Sequence, residues 1–340
     1  MSITRFPHGL SSFGIPLYGS GVGPIFGPGC GNIKYVVTTK ASTDLYYVML
    51  EEHGVSLNDI YTTLASAYAA TTASQNDVIA VCPGAYDETA TLDWTKDNTH
   101  LVGLGGPNTM NDYSEKNVVI YTDTSAVDYT IDLTGDHCVF LNIGINNVGN
   151  SATNYAAMKV NGYGNYFENV SFIGALGSSQ LSAVACGSLT VSTNGHNSRF
   201  INCVIGEDCW GARTGSRSGQ LICDGSQPNG VVFRDCYFRS QSSTAAVAMV
   251  RITPIAIGRG WIFDGCMFYN YGTTNLNQCF ASSVNDTTHS WTDIVLKDCF
   301  SKGIDKWTDH TVDLVYGNMP IADDGGGQAI SLDETVAGGA

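Results

Sequence analysis

One short pattern recurs six times between residues 140 and 301 and limits what this chain can fold into. It consists of an apolar residue, any residue, then Asn, Asp or Gly, then a small apolar residue, as in Phe200-Ile-Asn202-Cys203. The fourth positions are spaced 27, 33, 33, 30 and 33 residues apart, and they are Ile143, Val170, Cys203, Cys236, Cys266 and Cys299. A repeat of about 30 residues is typical of solenoid proteins. The sequence therefore predicts stacked structural repeats.

The third position of the pattern indicates how each repeat bends. Its occupants are Asn142, Asn169, Asn202, Asp235, Gly265 and Asp298. These residue types tolerate a left-handed backbone, so we predict a corner with positive φ there. The fourth position and the residue two places after it, here called the sixth position, share one face of a strand, because side chains alternate along a strand. Each repeat is therefore predicted to be a strand, a tight corner and a second strand, with the fourth-position residues forming one interior stack.

This corner resembles the asparagine ladder of right-handed pectin-lyase-like parallel β-helices, over roughly residues 76–305. The segments Asp77-Val-Ile-Ala-Val-Cys-Pro-Gly-Ala-Tyr86 and Leu101-Val-Gly-Leu-Gly105, which follow a predicted helix, are similar to the first rung of such proteins. The resemblance implies an all-β, right-handed parallel β-helix with an N-terminal capping helix. It implies a fold and not an activity.

The periodic pattern also divides the chain into regions. Residues 1–32 are rich in Gly and Pro and have no periodicity, so we predict an extended arm. Within residues 33–75 we predict one or two strands that enter the solenoid, at residues 33–37 and 45–48, and a capping helix at residues 56–70. The parallel β-helix is predicted for residues 76–317. A flexible acidic tail is predicted for residues 318–340.

Charge and cysteine content narrow the possible partners. The formal net charge is −15 with only 16 Lys plus Arg, which argues against a nucleic-acid or anionic-membrane partner. The first residues lack the apolar run of a signal peptide, and no stretch reaches the length of a membrane span.

The 11 cysteines include no CxxC pair, and four of them occupy the predicted interior stack, where a thiol acts as a small hydrophobe. We expect reduced thiols from a cytoplasmic origin, and neither a metal nor a cofactor.

The best catalytic candidates are Glu207 and Asp208, with Asp224 further along the same region and Trp210 beside the pair. Two carboxylates next to an aromatic ring are what a glycosidase uses. The alternative interpretation is a solvated turn, because adjacent side chains in an extended loop point apart. We therefore expect no enzymatic activity, with a polysaccharide lyase or glycoside hydrolase as the alternative.

The opening Ser2-Ile-Thr-Arg5-Phe-Pro-His-Gly-Leu-Ser-Ser-Phe13-Gly is similar to the start of many tailed-bacteriophage virion proteins. The resemblance implies a structural virion protein, made in the host cytoplasm. We predict a capsid decoration or cement protein, a homotrimer, on the outer surface of the capsid, whose arm binds the major capsid protein. The predicted capsid-binding arm residues are Arg5, Phe6, Pro7, Phe13, Tyr18 and Phe26.

A second role stays open. The chain is alternatively a tailspike or tail-fibre protein that binds or cleaves host surface polysaccharide. Surface Tyr and Trp side chains would also allow weak glycan binding by a purely structural protein. Acids and aromatics gathered in one groove would favour the enzyme, whereas a surface lined by Thr, Ser and Asn would favour the structural role.

Overall fold

The computed structural model describes most of the chain between residues 31 and 316, together with two short segments near the N-terminus. The described ranges are 11–12, 15–16, 31–105, 117–125, 127–174, 177–183, 186–206, 212–215, 218–225, 228–252, 260–282, 294–308 and 314–316. Ser11–Ser12 pairs antiparallel with Ile15–Pro16. The rest of predicted regions 1–32 and 318–340, including all six arm residues, lies outside the described residues.

The chain winds into a right-handed parallel β-helix, as the repeat predicts. Each coil passes through three parallel sheets in the order A, B, C, and successive coils stack. Sheet A has eleven strands: Ile60–Tyr61, Ile33–Val36, Asp77–Val81, Thr99–Gly103, Val139–Leu141, Tyr166–Glu168, Arg199–Ile201, Val232–Arg234, Trp261–Asp264, Ile294–Lys297 and Leu314–Tyr316. Sheet B has eight: Gly84–Asp87, Val118–Thr122, Gly144–Asn147, Ser171–Ile173, Val204–Gly206, Tyr237–Ser240, Met267–Asn270 and Phe300–Lys302. Sheet C has seven: Leu92–Trp94, Tyr129–Leu133, Ala156–Val160, Leu189–Val191, Gly219–Cys223, Ala248–Ile252 and Phe280–Ser282.

The repeated pattern lies where sheet A turns into sheet B. The six third-position residues have φ between 50° and 66°, which is the left-handed corner expected from their types. Asn169 Nδ2 donates to Asn142 Oδ1 at 2.9 Å, so side-chain amides link neighbouring corners. The fourth-position residues Ile143, Val170, Cys203, Cys236, Cys266 and Cys299 are all buried.

The first apolar residue of each pattern forms a second interior stack. Phe140, Phe167, Phe200, Phe233 and Phe263 are in register, and consecutive ring centroids are 4.6 to 5.2 Å apart. Parallel strands separated by about 4.8 Å place equivalent rings at stacking distance. The spacing of the repeat therefore becomes a continuous aromatic column.

The nine described cysteines are buried, and none of them forms a disulfide bond with another. Burial raises the pKa of Cys82 and Cys138 to about 12, so these thiols stay protonated at neutral pH. In the described coils, none of the helices combines the length and apolar character needed to cross a bilayer.

The N-terminal cap differs from the prediction. Where a helix was predicted over residues 56–70, the chain forms a 3-10 turn (Leu57–Asp59), a short strand and then helix α2, Leu64–Ala69. Thr63 is the N-terminal cap of α2, because its Oγ1 accepts a hydrogen bond from Ser66 N. Tyr68 on α2 packs on Trp94 with ring centroids 4.5 Å apart, which covers the open end of the core.

The segment around residues 45–48, interpreted from sequence as a strand, is a helix. It spans Leu45–Glu52 and precedes α2, so we call it α1. The Asp44 carboxylate caps it by accepting from Tyr46 N at 2.9 Å and Tyr47 N at 3.1 Å. The remaining short helix, α3, spans Ser178–Leu181.

His100, in the sheet A strand Thr99–Gly103, makes folding stability depend on pH. Burial lowers its pKa from 6.5 to about 4, against a smaller opposing effect of Asp77. Since the unfolded chain binds this proton near pH 6.5, the stability contribution is complete above pH 6.5 and is lost as the pH falls towards 4. Substituting His100→Gln is expected to remove about 1–2 kcal/mol of the stability difference between pH 7 and pH 4.5. Urea unfolding of both proteins at the two pH values measures this, and equal pH dependence would contradict it.

Candidate functional site

Asp224 is the one predicted catalytic candidate that the structure describes, because Glu207 and Asp208 lie outside the described residues. It follows the sheet C strand Gly219–Cys223, and its backbone N–H donates to Val191 O at 3.1 Å. Asp224 lies close enough to Asp132, which the sequence did not single out, to raise its pKa.

Sheet C carries an acid group on its outer side, made of Asp93, Asp132 and Asp224. Asp93, Asp132 and Lys159 are register neighbours on three successive strands, and Lys159 Nζ lies 3.9 Å from Asp132 Oδ2. Burial raises the pKa of Asp132, Asp93 and Asp224 raise it further, and Lys159 lowers it. Burial, with smaller contributions from Asp224, Asp132 and Asp128, also raises the pKa of Tyr129, whose ring lies 5.5 Å from Lys159 Nζ.

A carboxyl group with a raised pKa can donate a proton, so the acid group is one set of residues that could serve the enzymatic alternative. Glycoside hydrolysis needs a second carboxyl group across the scissile bond, whereas the nearest charged partner of Asp132 is Lys159. Within the described ranges, no three His, Cys, Asp or Glu side chains are grouped as metal ligands. The geometry is that of a half-buried ion pair on a sheet.

An anchor fixes the point where residues 1–30 join the solenoid. The fully buried Asp77 carboxylate accepts from Asn32 N and from Thr72 N, both at 2.7 Å. Gly31 N donates to Asn76 O at 2.8 Å. A Cβ on Gly31 would lie 2.2 Å from Asp77 Oδ1, so only glycine fits. The preceding segment therefore leaves the solenoid from a set position at its capped end.

The same end exposes apolar side chains. Leu45 on α1 is 66% exposed and Leu57 is 52% exposed, with Tyr46 also exposed. We call these three residues the cap patch. Large apolar side chains grouped at one end of a rod are typical of a contact surface.

The outer face of sheet A carries an apolar stripe. Val232, Ile262 and Val295 are direct register partners on three consecutive strands and are half-buried. On earlier strands, Val78 and Val102 form an outer cluster with Ile33, Val139 and Leu141. We call these eight residues the outer stripe.

Beside Ile262 and Val295 the outer stripe borders charges that are paired within the chain. Asp264 accepts from Lys297 Nζ at 2.9 Å and lies 3.3 Å from Arg234 Nε. These exposed ion pairs contribute little stability, but they leave a nearly neutral row along the stripe. Around Ile262 and Val295 the face can therefore pack against another surface without burying these charges unpaired, whereas Arg199, the register partner of Val232, is exposed on the same face.

Sequence reasoning also missed an aromatic platform on sheet B, which comprises Tyr237, Tyr269, Tyr271 and Phe300. In the sequence these residues directly follow or lie near the repeated corners, but they are about 30 residues apart from one coil to the next. The sequence signal that could have predicted the platform is the alternation after each corner, where every second residue points outward.

The fold and its repeated corners define a right-handed parallel β-helix. No protein-family model matches the chain, and comparison with curated proteins yields no match.

Solved structures with a similar fold include pectin methylesterase PemA from Erwinia chrysanthemi, with 15% identity, a TM-score of 0.47 and coverage of 85% of this chain and 94% of that one. The pectin methylesterase from Aspergillus niger has 16% identity and a TM-score of 0.47, covering 90% and 94%. Geobacillus virus E2 ORF18 has 13% identity and a TM-score of 0.43, covering 76% of this chain and 58% of that one. At these identities the likeness concerns the fold alone.

Proposed function

We propose that this chain is a structural protein of a tailed-bacteriophage particle, a decoration or cement protein on the outside of the capsid. Its β-helix is the outward body, and its N-terminal arm binds the major capsid protein. The protein needs no cofactor or metal for this role. The opening sequence motif supports the assignment to a bacteriophage particle. The main observation in favour of the decoration role is the arm anchor.

The anchor supports attachment through one end. Asp77 holds Asn32 in place, so the arm begins at the capped end of the solenoid, the end that also carries the cap patch. Seven steps of about 4.8 Å separate the first and last strands of sheet B, so the far end of the body lies roughly 34 Å away. A rigid body of this length lets the arm bridge shell subunits while the coils stand clear of the shell.

The outer stripe supports a homotrimer. Another copy of this chain carries the same rung spacing, so its sheet can match the stripe strand for strand along the axis. The self-paired charges of Asp264, Arg234 and Lys297 beside the stripe would not oppose that contact. Three copies around one axis would also place three arms on the shell, which raises the avidity of attachment.

Removing residues 1–30 is expected to abolish saturable binding to capsids that lack this protein. Gly31 and Asn32 are retained, so the anchor contacts with Asn76 and Asp77 survive and the β-helix folds. Co-sedimentation with such capsids measures binding, and sedimentation velocity of the free protein reports whether the body is trimeric.

The matched control keeps the arm length but replaces Arg5, Phe6, Phe13, Tyr18 and Phe26 with Ser and Gly. Loss of binding in both variants assigns attachment to those side chains, whereas loss only in the deletion assigns it to the arm backbone. Failure of the full-length, trimeric protein to bind capsids would overturn the decoration role.

The second candidate is a tailspike or tail-fibre protein that binds host polysaccharide, and the exposed aromatic platform is the observation that favours it. Immunogold labelling of intact particles separates the two, because decoration predicts label over the head and the alternative predicts label at the tail.

A further inference from the structure

The aromatic platform lies on the outer face of sheet B at its last three strands. The register places Tyr237, Met267 and Phe300 in one row, and Arg239, Tyr269 and Lys302 in the next. The ring centroid of Tyr269 is 5.7 Å from that of Tyr237, 5.3 Å from that of Tyr271 and 5.7 Å from that of Phe300. The four rings thus form one continuous cluster.

The platform is accessible at its edge. Tyr271 is 48% exposed and Phe300 is 40% exposed, whereas Tyr237 is buried. The hydroxyls of Tyr237 and Tyr271 are hydrogen-bonded to each other, which limits the motion of the exposed ring. Held rings lose little conformational entropy when a ligand covers them.

An exposed cation lies next to the rings. Lys302 Nζ is 5.5 Å from the Tyr269 centroid. Within the described part of the chain, no carboxylate lies within 4 Å of this ammonium, whereas Lys34, Lys159 and Lys297 each have an acidic partner within that distance. In a chain of net charge −15, a lysine held beside aromatic rings instead of an acid is a local anion site.

The chemistry of this surface fits a sugar better than other ligands. A pyranose ring has an apolar face of C–H groups that covers an aromatic ring, and a hydroxyl rim that bonds to tyrosine hydroxyls. A nucleic acid would bring a continuous row of phosphates towards a strongly acidic protein. Tyr237, Tyr269 and Phe300 lie on successive strands with ring centroids 5.7 Å apart, a step comparable to one sugar unit.

We propose that the aromatic platform binds a glycan, with sugar rings stacked on Tyr271 and Phe300 and the carboxylate of an acidic sugar paired with Lys302. This inference does not depend on the capsid role, since the platform lies at the far end of the body from the arm anchor.

The test uses the full-length protein on an array of neutral, uronate-bearing and sialic-acid-bearing oligosaccharides, followed by calorimetric titration of the strongest ligand and its neutral counterpart. Tyr271→Ala and Phe300→Ala are each expected to weaken binding about tenfold, as loss of one stacking contact does. Lys302→Gln is expected to weaken binding about threefold for the acidic ligand only, with the difference disappearing at high salt. Tyr163→Ala is the matched control, since Tyr163 is 42% exposed but lies outside the platform.

Absence of any array signal at millimolar ligand would overturn the proposal, provided that the melting temperature shows a folded protein. Equal affinity of Tyr271→Ala, Phe300→Ala and Tyr163→Ala would overturn it as well. If a second copy of the chain covered the platform, no glycan would bind, and Phe300→Ala would lower the mass measured by sedimentation. That result would also overturn the proposal.

Discussion

Replacing Phe233 by alanine is expected to lower the free energy of unfolding by about 3–5 kcal/mol. The Phe233 ring stacks between Phe200 and Phe263 with centroids 4.7 and 4.9 Å away, and Phe238 meets it edge-on. Alanine would leave a cavity in the middle of the column that neighbouring coils cannot fill, because their backbones are held by strand pairing on both sides. Urea unfolding followed by circular dichroism measures the change.

Phe300→Ala is the matched control, since it removes the same side chain from an exposed position of sheet B. We expect a change below about 1 kcal/mol there. Similar losses for the two variants would contradict the assignment of Phe233 to the interior column.

Replacing Asn202 by valine is expected to cost about 2–3 kcal/mol, although the residue is exposed and contributes no core packing. Its φ is 50°, and a β-branched side chain clashes with the backbone in that left-handed region. The expected loss is therefore conformational, and it appears in the same urea unfolding measurement.

Two controls isolate the corner. Asn202→Gly should lie within about 1 kcal/mol of the wild type, because glycine accepts positive φ. Asn194→Val makes the same exchange at an exposed residue that is not among those with positive φ. If both valine variants were equally stable, the left-handed corner would be contradicted.

The sequence predicted the coil well because its main constraints are local. Only a few residue types accept the positive φ of the corner, so Asn142, Asn202 and Asp235 reveal it without knowledge of the rest. Alternation along a strand then places the fourth and sixth positions inside. Equal spacing between coils requires equivalent residues to stack, as Cys203 and Cys236 do.

The cap was harder to predict, because short apolar runs fit either kind of secondary structure. Leu45 to Val48 suit a strand by composition, yet Asp44 caps them as helix α1 and Leu50 packs in a cluster with Val37 and Ile60. The helix thus depends on contacts with residues that are distant in sequence.

Local chemistry therefore accounts for the β-helix itself, from the corner ladder to the buried stacks, since each coil repeats the same backbone requirement. The surfaces that bear on function arise only when coils stack. Asp77 becomes an anchor because folding places Asn32 and Thr72 around it, and Tyr237, Tyr269 and Phe300 become one platform because strand pairing places residues about 30 positions apart at about 4.8 Å. Such contacts join residues that are far apart in the sequence, so they are determined by the stacking of the coils and cannot be predicted from any short segment.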